Sequence, residues 1–119
     1  MFSAFTEGLH LFSSFAVLLN FTRFGKMKGM GQIITWSVRD ESLHVEGMTR
    51  LFRTIAEENP EIVTKTFEER LVTICERMVE LEDNFIDLAF STGGVKGLTP
   101  EEVKAYIRFI ADRRIAQLG

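Results

Sequence analysis

The sequence predicts an all-α bundle of about four helices, and three observations carry that prediction. Apolar residues recur at helical spacing over long stretches. Capping and turn residues fall between those stretches. No segment alternates apolar and polar residues between turns, as a half-buried strand would. With 119 residues, 45% of them hydrophobic, the chain has the composition of a globular protein with one modest core.

The first helix is expected over about residues 2–23. Up to residue 22 it carries one charge, Glu7, among many apolar side chains. A signal peptide needs an early Lys or Arg and a small-residue cleavage site, and neither is there. Glu7, His10, Asn20 and several Ser and Thr interrupt a stretch that barely reaches spanning length, so a membrane segment fits poorly. A helix apolar on most faces belongs in the centre of a bundle. Such a helix seldom opens a complete protein, so a further segment is expected before residue 1.

Gly25 and the Gly29–Gly31 cluster should end this helix, and a second is expected over about residues 32–58. Asn59-Pro60 reads as an N-cap followed by proline at the first helical position, starting a third helix there. It should run to about residue 90 and stop at Gly93-Gly94. Its charges Glu68, Glu69, Arg70, Glu76, Arg77 and Glu80 lie between Phe67, Leu71, Ile74, Met78 and Leu81, which describes a solvated face with i,i+4 pairing. Thr99 and Glu102 flank Pro100 as a capping box, which opens a fourth helix ending near residue 118.

Net charge is −3 with both signs scattered, which leaves no basic footprint for nucleic acid or for anionic lipid. Cys75 is the single cysteine, so an internal disulfide is impossible and a buried free thiol is expected. There is no Gly-rich phosphate loop.

The informative residues are polar groups placed on core stripes. In the second helix the stripe is Ile34, Val38, Val45, Met48, Phe52 and Ile55, and Glu41 and His44 fall on it. Three residues apart, they leave one face and can converge on one point. In the first helix Glu7 shares a face with Leu11, Phe15 and Leu18. Burying ionised carboxylates without a partner is very costly. A metal ion would neutralise them, and a mixed oxygen and nitrogen set suits iron or manganese. Glu-x-x-His facing a Glu on a neighbouring helix is half of the di-metal carboxylate arrangement of ferritin-like bundles. The alternative is a satisfied core, with Glu41 paired to Arg39 or Arg50 and His44 bonded to a carbonyl. Glu7-Gly8-Leu9-His10 is also Glu-x-x-His, and spacing alone leaves His10 open as a ligand.

The run from Gly25 through Trp36 and the block Arg39-Asp40-Glu41-Ser42-Leu43-His44 resembles the second half of the ribonucleotide reductase small subunit. Glu7-Gly8 with Phe12 and Phe15 resembles that family's preceding ligand helix, and Leu98-Thr-Pro-Glu and Asp112-Arg-Arg extend the likeness to the end of the chain. The resemblance implies a partial ferritin-like bundle, residues 1–119 forming one partial domain, the second half of that fold. It implies a di-iron or manganese–iron cofactor to which Glu7, Glu41 and His44 give three ligands, His10 being structural. It implies that Asp40 hydrogen-bonds a histidine ligand, that Arg39 anchors a buried salt bridge, and that Leu11 and Phe15 belong to an apolar pocket around the radical.

The family's first-half Asp, its Glu-x-x-His and its radical tyrosine have no counterpart here. No catalytic residue is therefore assigned in this chain. Tyr106 and Trp36 read as structural, and the tail that docks on the large subunit is missing too. Expected partners are a chain carrying the first half, the reductase large subunit and further copies of the chain, in the cytoplasm, with neither nucleic acid nor membrane. Another ferritin-like oxidase, or a metal-free helical interaction module, are the competing readings.

Overall fold

The structure is a computed structural model that describes residues 2–119, with side chains from residue 4 onward. The expected all-α architecture is what it shows. A first helical column comprises α1 (Phe2–Phe5), a π-helical turn (Thr6–His10) and α2 (Leu11–Arg23). Then come α3 (Lys28–Glu58), a 3-10 turn (Pro60–Ile62), α4 (Lys65–Ser91) and α5 (Pro100–Leu118). Among the described residues the only β-pairing is an isolated bridge between Val95 and Leu98. Among them, too, no helix is long and apolar enough to cross a membrane.

Local chemistry explains the boundaries. At the end of α2 the Lys26 N–H donates to the Phe21 carbonyl and the Gly25 N–H to the Thr22 carbonyl. That pair of bonds is a Schellman motif, and it places Gly25 in the left-handed region at φ 71°. The glycines that follow do not end a helix. α3 already begins at Lys28, and Gly31 is there for proximity: a Cβ on it would clash with Thr22 Cγ2 of α2.

Asn59-Pro60 likewise opens only a 3-10 turn. The third long helix starts at Lys65, because the Thr64 hydroxyl accepts from the Phe67 N–H and caps it. Thr99 and Glu102 form the expected capping box at α5. Such a cap contributes about 1 kcal/mol.

α4 packs against α5, and α2 against both α3 and α5. The core lies among the first column, α4 and α5: Phe5, Leu9, Ile86, Val103 and Ile107 are at most 1% exposed. Cys75 is buried there as a free thiol. Across α4 and α5, Arg108 pairs with Asp83 and Lys104 with Asp87, each at 2.6 Å.

The Cα extents are 51 × 26 × 16 Å, a slab about two helices thick, given interaxial spacings of ~8–10 Å. In so thin a body long helices keep an open side. The expected core stripe of α3 is therefore covered only in part: Val45 is buried, whereas Met48 and Ile55 are exposed. On α4, Ile74 and Leu81 are exposed for the same reason, and Trp36, expected to pack, lies 53% exposed on α3.

Candidate metal centre

Glu7, Glu41 and His44 meet. Each offers one ligand atom, and the three atoms all lie within 4.8 Å of one another. Two atoms bonded to one ion at ~2.1–2.2 Å can be at most ~4.4 Å apart, so a shared ion requires only a sub-ångström adjustment of side chains. His44 Nδ1 stands 3.3 Å from Glu41 Oε2. One helical turn of α3 supplies both groups, and the π-turn of the first column supplies Glu7.

The set sits at an edge. Glu7 and Glu41 are partly buried, while the His44 side chain is 60% exposed. Neither arginine that could have satisfied Glu41 does so. Arg39 contacts Asp40 at 3.3 Å and Arg50 contacts Glu46 at 2.8 Å. His10 is not in the cluster; its Nε2 lies 3.2 Å from the Met78 carbonyl oxygen on α4.

Several expected neighbours take other places. Arg39 does not anchor a buried salt bridge: its side chain is 71% exposed, and its partner is the adjacent Asp40, itself exposed. Both fall on the outward side of α3. Phe15 is buried edge-to-face against Phe12, but Leu11 is 38% exposed. Most of the π-turn lies between Glu7 and both residues. A wider turn breaks the α-helical phase, so residues on either side of it no longer share the face that regular i,i+4 spacing would give them. Tyr106 is 37% exposed on α5, and burial of its ring raises its phenol pKa above the ordinary value.

Two buried polar networks, the first of them reaching the π-turn that carries Glu7, were not predicted from the sequence. Arg114 of α5 is 6% exposed and donates from Nε to the Gly8 carbonyl at 2.9 Å. Glu82 of α4 is 4% exposed and accepts from the Ser13 hydroxyl. Burial pushes the Glu82 carboxyl pKa up; the Ser13 bond and the nearby His10 pull it back. The signal for both was available. Arg114 continues the stripe Val103, Ile107, Ile110 and Ala111, and Glu82 continues Leu71 and Cys75 toward Ile86.

Comparison with known proteins identifies the family and the fold. The family profile described as "Ribonucleotide reductase, small chain" matches residues 1–119. A protein of Invertebrate iridescent virus 3 named as a ribonucleoside-diphosphate reductase small subunit is 52% identical, over 100% of this chain and 32% of its own length. The ribonucleoside-diphosphate reductase subunit beta of Chlamydia pneumoniae is 36% identical, over 95% of this chain and 32% of its own. A crystal structure from Bacillus halodurans assigned to class I ribonucleotide reductase superposes with a TM-score of 0.94 at 32% identity, covering 99% of this chain and 37% of that one. The chain thus spans about a third of the length of the relatives it matches.

Proposed function

The chain belongs to the ribonucleotide reductase small-chain family, and from that premise we propose that it supplies Glu7, Glu41 and His44 as half the ligand set of a di-metal centre serving ribonucleotide reduction. The observation that carries this reading is the convergence of the three ligand atoms within 4.8 Å. Two carboxylates and an imidazole fit iron or manganese by donor type, as a di-iron or manganese–iron pair requires. When bound, such a pair supplies the oxidising equivalent that the large subunit uses to reduce a ribonucleotide.

The residues of this chain have definite tasks in that reading. Glu41 and His44, held by one turn of α3, fix two ligands at a constant spacing. Glu7 closes the set from the first column. Phe15, packed edge-to-face on Phe12, gives the first column an apolar surface that would keep water from an oxidised group. Asp40 stands beside the ligand Glu41, where it can hydrogen-bond a histidine ligand from the first half and fix its ring.

The open side of the site supports a partner. His44 is 60% exposed, and Ile33, Trp36, Leu43 and Leu51 of the same helix are exposed apolar residues. A chain carrying the remaining carboxylates and histidine would close the centre and cover this face. The large subunit and further copies of the chain complete the assembly, and the cytoplasm is its place.

The test is metal content. Iron or manganese bound per chain is measured with and without a chain that carries the first half, against a Glu41→Ala control. Metal above the control, together with ribonucleotide turnover once a large subunit is added, supports the proposal. A metal-free, monodisperse oligomer with no metal above the control would overturn it in favour of an interaction module.

A further inference from the structure

We propose that Arg114 is a positioning residue for the metal centre: by holding the π-turn Thr6–His10 through the Gly8 carbonyl, it sets the direction in which Glu7 faces Glu41 and His44. The inference rests on the proposed ligand role of Glu7.

The geometry is specific. A π-turn disturbs the regular i→i−4 ladder and leaves a carbonyl open to an outside donor. The Gly8 carbonyl, one residue after Glu7, takes its donor from α5: Arg114 Nε at 2.9 Å, in a buried contact that joins the two ends of the chain. Gly8 permits the approach, since a Cβ there would stand 2.7 Å from Arg114 Nε and 2.9 Å from Val45 Cγ2.

The guanidinium is itself fixed. Its Nη1 donates to Gln117 Oε1 at 2.8 Å, and its carbon lies 5.3 Å from the Phe12 ring centroid. Among the described residues these acceptors are neutral. A charge buried against a carbonyl, an amide and a ring gains less than one paired with a carboxylate. Stability alone therefore explains this arginine poorly, and holding the π-turn in place explains it better.

Groups that orient ligands have large effects on metal sites. Arg114→Met keeps an apolar stem and removes the donor. It should weaken Mn(II) binding to the full chain, read by loss of the free Mn(II) EPR signal, by about tenfold or more. In a Glu7→Gln background the same substitution should change affinity little, because its route to the metal has been cut. Arg114→Lys keeps the charge but lacks Nε, so it should act in the same direction and serves if the methionine variant does not fold.

A metal-independent reading accompanies these. In either variant the backbone carbon shifts of residues 6–10 should move toward those of a regular α-helix. Unchanged shifts, or an equal loss of affinity with and without Glu7, would overturn the inference. If the unaltered chain takes up no Mn(II), the proposed function falls while the shifts still decide the role of Arg114.

Discussion

Two long helices of this molecule, α3 and α5, meet opposite fates. In α5 Val103, Ile107, Ile110 and Ala111 are all at most 5% exposed, and even Arg114 is buried. In α3, with 31 residues, only Gly31, Val45 and Thr49 are buried, while Ile33, Trp36, Leu43 and Leu51 are more than half exposed. Both carry apolar residues at helical spacing. The difference lies in position: α5 is wedged between α4 and the first column, whereas α3 flanks that column at the edge of the slab. Amphipathic pattern decides that a helix forms, and the number of layers around it decides how much of it is covered. The candidate ligands stand on the line between the two regimes, Glu7 on the packed side and His44 on the open one.

The contrast can be broken at its extremes. Ile107 is 0% exposed, and Ile107→Ala should cost about 2–5 kcal/mol of unfolding free energy through lost transfer energy and a cavity. Leu43 is 60% exposed, and Leu43→Ala should stay within about 0.5 kcal/mol. Urea unfolding of the isolated chain measures both. A large loss at Leu43 would mean that the α3 face is covered in solution.

A pair of helical glycines sharpens the same comparison with smaller effects. Gly8 faces Arg114 and Val45 with no room for a methyl group, so Gly8→Ala should destabilise by about 1–3 kcal/mol through overpacking. Gly47 of α3 has nothing within 4 Å of an added Cβ. Gly47→Ala should stabilise by roughly 0.5–1 kcal/mol, because alanine in a helix interior loses less backbone entropy. Thermal melts of the two variants should shift in opposite directions.

Much of this was legible in the residues. Helix periodicity, the Gly25 turn and the Thr99–Glu102 box gave the elements because each is a local signal. Glu41 and His44 stood out as polar groups on an apolar stripe. The starts of α3 and α4 were misplaced for physical reasons. Gly31 serves a close contact with Thr22 that no single sequence displays, and Thr64 outcompetes Asn59 as the cap of a long helix. The π-turn was invisible because the contact proposed to hold it is distant, a guanidinium reaching Gly8 from a residue more than a hundred positions on. Leu11 was placed beside Glu7 by regular α-helical spacing, which that turn interrupts. The exposure of Trp36 and Arg39 depends on how many layers surround α3, and periodicity carries no information about that.

The subtlest test concerns Glu82, which belongs wholly to the packed side. It is 4% exposed, and burial raises its carboxyl pKa despite the Ser13 hydrogen bond and the charge of His10. For an acid whose folded pKa exceeds its unfolded one, the native state retains a proton that the unfolded chain has already lost. Its contribution to stability is complete below the unfolded pKa and is lost as pH rises through the folded pKa. Between those two values the native chain should therefore grow less stable with rising pH. Glu82→Gln keeps the shape and a polar partner for Ser13 but cannot ionise, so it should flatten that slope. Ser13→Ala removes the bond that favours the carboxylate, so it should push the folded pKa higher and extend the loss toward neutral pH. Urea midpoints collected from about pH 4 to about pH 8, spanning the ordinary glutamate range and above, read all three chains. Equal slopes for the unaltered chain and Glu82→Gln would show that the carboxylate is solvated, and that the packed side is no better sealed at this point than α3.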